Sequence, residues 1–243
     1  IILDPVVETG WESILQEARD AGIPVILSDR SVELEDDSLY TCWVGSNFQE
    51  EGENAGKWLA DYLKQQGMED TVNIVSLQGT LGSTAQIGRT KGFEAVCRQH
   101  PEWNLLESRP ADFTQAKGKE VMEDFLRLYE DIDVVISEND NMTFGAIDAI
   151  EQAGKTCGPD GDICIISFDA VQAALIAMQN GKINADFECN PLLAPKVEEV
   201  IRRLEKGERV EKIQYIDETY YDSSMDLSKV IDQERNGNEN GEF

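Results

Sequence analysis

The 243-residue chain carries 21 Lys and Arg against 48 Asp and Glu, a net charge of −27, with a pI near 4.2. So acidic a surface repels nucleic-acid phosphates and anionic lipid headgroups, and no local basic cluster offsets it. Apolar residues make up 41%, enough for a packed core in one large domain or two ordinary ones, and no run has transmembrane length.

Apolar runs alternate with helix-period segments along the chain. "IIL" at 1–3 is strand-like, and Trp11, Ile14, Leu15 and Ala18 then mark one buried helix face. "IPVILSD" at 23–29 is a nearly continuous apolar run, as in a strand covered on both faces. "LYTCWVG" at 39–45 is extended and leads into a helix carrying Ala55, Trp58, Leu59 and Tyr62. Five further strands are predicted at 72–77, 104–108, 132–137, 162–168 and 183–188. Helices between them are predicted near 84–99, 115–129, 143–153 and 170–179. A last helix presents Val197, Val200, Ile201 and Leu204, and "KIQYIDETYY" at 212–221 reads as one extended segment. The tail "NGNENGEF" has no apolar periodicity and reads as disordered. The rhythm is that of a doubly wound parallel α/β sheet.

The five cysteines, Cys42, Cys97, Cys157, Cys164 and Cys189, are scattered singly, and His100 is the sole histidine. With no Cys-x-x-Cys pair and one histidine, no zinc site is expected, and the odd count argues against a disulfide framework. Buried, inert thiols are the expectation. "GTLGS" lacks the Gly-Lys-[Ser/Thr] ending of a phosphate loop. Glu138 and Asp140 stand two apart and should not face each other as a catalytic pair.

In a doubly wound sheet, ligands bind beyond the carboxyl ends of the strands. Those ends carry Asp29 and Arg30; "QGTLGSTAQIGR" at 78–89; Asp112 and Phe113; Asn139 and Asp140; and Asp169. Arginine and aspartate fork hydrogen bonds to vicinal hydroxyls, an amide both donates and accepts, and an aromatic ring packs on C–H faces. The set suits a neutral, hydroxyl-rich ligand. Each group also has a plainer reading. Asp29 and Arg30 could form an ion-paired surface turn, Arg89 could be solvated, Phe113 could be core, and Asn139 or Asp169 could cap the next helix.

Taken together, "GIPVILSDR", "LQGTLGSTAQIGRTKGF", "ADFTQAKGKEVM", "SENDNMTFGAIDAI" and "ISFDA" resemble type I periplasmic sugar-binding proteins, the ribose-binding-like receptors of ABC importers. "VVETGWESILQEARDAGIPVILSDR" and "GSNFQEEG" look closest to the galactofuranose-binding branch. The resemblance implies two doubly wound parallel-sheet lobes joined by three crossings, near 40–45, 188–191 and 217–221, with sugar held between them. Residues 1–44 and 190–221 would form the first lobe, 45–189 the second, and 222–243 a tail. Relative to the family, the first lobe lacks two strand–helix units, roughly 60 residues at about 30 per unit. That missing part would carry the signal sequence.

Position by position, Asp29 and Arg30 match the family's pair that bonds ring hydroxyls. Arg89 matches the cleft arginine, Ala85 lines the wall, Phe113 matches a ring that packs on sugar, and Asn139 matches the amide. On this reading Asp140 or Asn141 caps the helix that follows, and Arg89 acts on ligand rather than on stability. Asp169 matches the aspartate of Phe-Asp-Gly, although Ala170 replaces the glycine. Asp4 stands where the family often has Asn, and Cys189 where ribose binders place Gln, departures that argue against ribose itself. The resemblance further implies no catalysis and no cofactor or metal. It implies a monosaccharide ligand such as galactofuranose or a related furanose or pentose, a membrane permease as partner, no nucleic acid, a monomer, and a periplasmic or lipid-anchored location. The alternative is the effector domain of a LacI-type regulator, which shares the fold.

Overall fold

Period-two alternation organises the larger of two sheets in the computed structural model, which describes residues 1–68 and 70–232. In β4 (Val72–Gln78), Val75 and Leu77 face a core with Val121 and Met122 of α4 (Gln115–Leu128) and Ile150 of α5 (Asp140–Gln152). Val72 and Ile74 face the opposite core, with Leu59 of α2 (Phe48–Gln66) and Phe93 of α3 (Thr84–Cys97). Helices therefore cover both faces, which explains why the strands read as unbroken apolar runs. The sheet also contains β5 (Trp103–Pro110), β6 (Val134–Ser137), β7 (Cys164–Asp169) and β8 (Ala185–Glu188), with α6 (Gln172–Gln179) between the last two. All five strands run parallel, in the order β8-β7-β6-β4-β5. The order reverses between β4 and β6, which opens a crevice at their carboxyl ends.

The second sheet has the order β1-β2-β3-β9: β1 (Ile2–Leu3), β2 (Ile26–Ser28), β3 (Cys42–Gly45) and β9 (Ile213–Tyr215), all parallel. Leu15 and Ala18 of α1 (Glu12–Asp20) pack with Leu27 and Trp43 on one face. Val197 and Val200 of α7 (Ala194–Glu205) pack with Ile26, Cys42 and Val44 on the other.

The chain crosses between the sheets after β3, after β8 and after β9. The stretch 212–221, expected as one extended segment, is divided by the third crossing: β9 joins the smaller sheet, and β10 (Tyr220–Asp222) pairs antiparallel with β8. A uniform β pattern contains nothing that marks a change of sheet. Residue 222, the first of the expected tail, thus lies in the larger sheet, and Leu227 is buried in the same core as Met122 and Ile150. The stretch "NGNENGEF" lies outside the described residues.

Candidate functional site

The strand ends of both sheets converge on one cavity of about 710 Å³. All nine residues singled out from the sequence line it: Asp4, Asp29 and Arg30 from the smaller sheet's side; Ala85, Arg89, Phe113, Asn139 and Asp169 from the larger; and Cys189 from the crossing after β8. Also in the wall are Phe48, Asn141, Asn190 and the start of α7. Asn190 lies two residues past β8, so the strand-end rule reaches it as well, whereas α7 lines the cavity from a face that periodicity assigns only to core.

Arg89 is the hub. It lies on the inner face of α3, 2% exposed. Nε donates to Glu51 Oε2 at 2.7 Å, Nη2 donates to Asp169 Oδ1 at 3.2 Å, and Nη1 donates to the Glu138 carbonyl. The guanidinium stacks over Phe168, 4.9 Å from the ring centroid, and over Phe48 at 5.4 Å. A fully buried arginine so engaged is aimed before any ligand arrives. Close packing of α2 on α3 sets its backbone: a Cβ on Gly52 would fall 2.2 Å from the Arg89 carbonyl oxygen. Arg89 is therefore also a structural group, not one that acts on ligand alone.

The stretch "SEND" divides its polarity among three tasks. The Glu138 carboxylate accepts from Gly79 N at 2.7 Å and from Thr90 Oγ1, and so holds the loop after β4. Burial pushes its carboxyl up to about 7. Asn139 is itself the cap of α5, with Oδ1 accepting from Met142 N at 3.0 Å. This corrects the assignment of the cap to Asp140 or Asn141: the side chain of Asn139 caps the helix and lines the cavity at once. Asp140 accepts from Ser167 Oγ at 2.5 Å and from Val171 N at 2.8 Å, which holds the loop after β7. Burial, and then the neighbouring Asp169, push its carboxyl up to about 7. The two carboxylates thus serve different loops.

The backbone is left-handed at three wall positions, Asp29 (φ 61°), Phe113 (φ 56°) and Asp169 (φ 104°), and at Ala170 (φ 56°) beside them. Such conformations disfavour side-chain-bearing residues and persist only where neighbours enforce them. At Ala170 the enforcement is visible, because its N–H donates to the buried Asp186 Oδ1 at 3.1 Å. Phe113 packs flat on a glycine: a Cβ on Gly79 would lie 1.9 Å from its ring. Arg30 stacks over Phe113 from the other lobe, 5.6 Å from the centroid. Its Nε is buried without a hydrogen-bond partner among the described residues, 3.6 Å from Asp29 Oδ2. Burial, then the charge of Asp4, raises the Asp29 carboxyl above its usual range. The cavity therefore offers forked donors, carboxylate acceptors, an amide and an aromatic face. It presents no nucleophile paired with a base among the described residues.

A sequence model of the periplasmic binding protein domain matches residues 1–190. The galactofuranose-binding protein YtfQ of Escherichia coli strain K12 is 39% identical over 225 residues, which is 91% of this chain and 69% of that protein. A Mycobacterium smegmatis protein solved in complex with β-D-fucofuranose superposes with a TM-score of 0.90 at 39% identity, covering 98% of this chain and 76% of that one. The periplasmic binding component of the arabinose ABC transporter of Shewanella sp. ANA-3, bound to α- and β-L-arabinofuranose, gives 0.91 at 38% identity, covering 98% and 78%.

Proposed function

Because the chain belongs to the periplasmic binding protein domain family, we propose that it is the substrate-binding component of a sugar ABC importer and holds one monosaccharide in the cavity between its lobes. The observation that carries this reading is the set of groups around Arg89: a buried forked donor flanked by Asp169, Asn139 and Phe113, facing Asp29 and Arg30 across about 710 Å³. Vicinal hydroxyls need paired donors and acceptors in fixed directions, and a sugar's C–H face needs a ring. The sugar is a furanose, galactofuranose or a related pentose or deoxyhexose. The relatives named for galactofuranose, fucofuranose and arabinofuranose support that choice.

The lobes close on the sugar about the three crossings, and the closed monomer is handed to a membrane permease. The first lobe comprises 1–44 and 190–219, and the second 45–189 together with the β10 segment packed on it. The protein works in the bacterial cell envelope, periplasmic or lipid-anchored. The test is calorimetry of the full-length protein against a panel of furanose- and pyranose-forming sugars, with the recovered sugar analysed afterwards. One furanose-forming sugar should bind at a 1:1 ratio and return unchanged; a panel without binding, or a converted sugar, would overturn the reading.

A further inference from the structure

Three segments carry the chain between the lobes, and each brings a polar group to one point. Ser46 follows β3, Cys189 follows β8, and Glu218 lies between β9 and β10. Ser46 Oγ donates to Glu218 Oε1 at 2.6 Å and stands 3.4 Å from Cys189 Sγ; Asn190 N donates to the same Glu218 oxygen at 2.8 Å. Glu51, in the first turn of α2, reaches this point from the second lobe. One carboxylate oxygen of Glu51, one of Glu218 and Cys189 Sγ all lie within 4.8 Å of one another.

Glu51 is 6% exposed, and its two oxygens differ in fate. Oε2 is taken by Arg89, while Oε1 is buried with no hydrogen-bond partner among the described residues. An orphaned carboxylate oxygen in the interior is costly, and native structures fill such vacancies with a proton, a water or an ion. Charge argues for an ion. Arg89 is the cation paired with Glu51 and Asp169, and no salt bridge reaches Glu218 among the described residues. One guanidinium therefore serves both Glu51 and Asp169 while Glu218 has no cation of its own, an arrangement that a bound cation completes. A groove of about 500 Å³ leads to it, lined by Glu50, Glu51, Glu188, Asp217 and Glu218 and by no lysine or arginine.

We propose that Glu51, Cys189 and Glu218 form a binding site for a thiophilic divalent cation of the Zn²⁺ class, entered from this groove, that ties the crossing segments to α2. Two carboxylate oxygens, a sulfur and an open fourth position are a ligand set that Zn²⁺ accepts. The second Glu51 oxygen, held by Arg89, orients the first, as outer partners of metal ligands do. On binding, the Cys189 thiol forms the metal–sulfur bond and releases its proton to solvent. Lobe closure turns on these crossings, so the cation also sets sugar affinity; this last consequence rests on the sugar-binding reading above.

The test is titration of the full-length, sugar-free protein with Co²⁺, followed by displacement with Zn²⁺. One Co²⁺ per chain should bind with a thiolate-to-cobalt charge-transfer band in the near ultraviolet, and Zn²⁺ should abolish the band. Glu218→Gln keeps an oxygen to accept from Ser46 and Asn190 and removes only the charge; it should weaken cation binding at least about tenfold. Cys189→Ser should remove the band. Absence of the band, or its survival in Cys189→Ser on another of the five thiols, would overturn the site and leave a cluster occupied by protons alone. Sugar affinity measured with Zn²⁺ and with a chelator should differ by at least about fivefold. Equal affinities would overturn the coupling but not the site. A normal cobalt band with no sugar bound would instead overturn the sugar reading.

Discussion

In the second lobe the polar groups of the cavity are engaged before any ligand arrives: Arg89 holds Glu51 and Asp169, and Asn139 caps α5. In the first lobe they are looser. Arg30 makes one long hydrogen bond, Nη1 to the Val6 carbonyl at 3.4 Å, and Asp4 is exposed. The fully buried side chains differ in size: the first lobe buries Leu15 and Leu27, the second Phe125, Phe168, Met122 and Met142. The contrast teaches that the second lobe is a preorganised half-site, and that the first contributes groups whose geometry is completed on closure.

Paired substitutions give the largest effect. Arg89→Ala leaves the Glu51 carboxylate buried without its cation and should destabilise the ligand-free protein by about 3–5 kcal/mol. It should also weaken sugar binding by at least about tenfold. Arg30→Ala should weaken sugar binding too, yet shift the melting temperature by no more than about 2 °C. Thermal melts and calorimetry read both quantities. Equal melting temperatures for the two variants would erase the distinction between the lobes.

Part of this was legible in the sequence. The strand ends identified Asp29, Arg30, Arg89, Phe113, Asn139 and Asp169 because a parallel sheet aims its carboxyl ends at one crevice, and polarity there has few other uses, whereas Asp4, Ala85 and Cys189 came from the family resemblance alone. The partner of Arg89 was missed although a signal existed. Glu51 stands on the apolar stripe of α2 with Phe48, Ala55 and Leu59, and Arg89 on the buried face of α3 with Ala85, Phe93 and Val96. A charge at a stripe position demands an opposite charge from the facing helix, and each of these two answers the other. Asn139 was assigned one role when it has two, because the cap uses only its carbonyl oxygen. The cluster of Glu51, Cys189 and Glu218 could not be read from spacing: its members come from α2 and from two separate crossings, and their meeting is a property of the tertiary fold.

The second lobe's buried acids predict a smaller effect, of pH. Burial raises Glu138 and Asp140 each to about 7, against unfolded values near 4. Between those limits the folded chain binds more protons than the unfolded one, so stability falls as pH rises. The contribution is complete below about pH 4 and is lost as pH rises through about 7. The ligand-free melting temperature should therefore be several degrees lower at pH 8 than at pH 5.5, on the order of 2–4 °C per kcal/mol. A higher value at pH 8 would mean that these carboxyls are ionised in the fold.

Ala170→Gly should have the smallest effect. Alanine there holds φ 56°, a left-handed conformation that glycine adopts without steric cost. Relief of the left-handed strain should add about 1 kcal/mol, or roughly 2–4 °C in melting temperature. A drop would show that the loop after β7 is held by its bonds to Asp140 and Asp186 without strain.

Capture of one sugar between unlike lobes is tested most directly by hydrogen exchange on the full-length protein with and without a saturating furanose-forming sugar. Protection should rise in a single titration at residues 29–30 of the first lobe and at residues 139–141 and 169–171 of the second, with the larger gain in the first, where order is created by closure. Protection confined to one lobe would contradict capture between them.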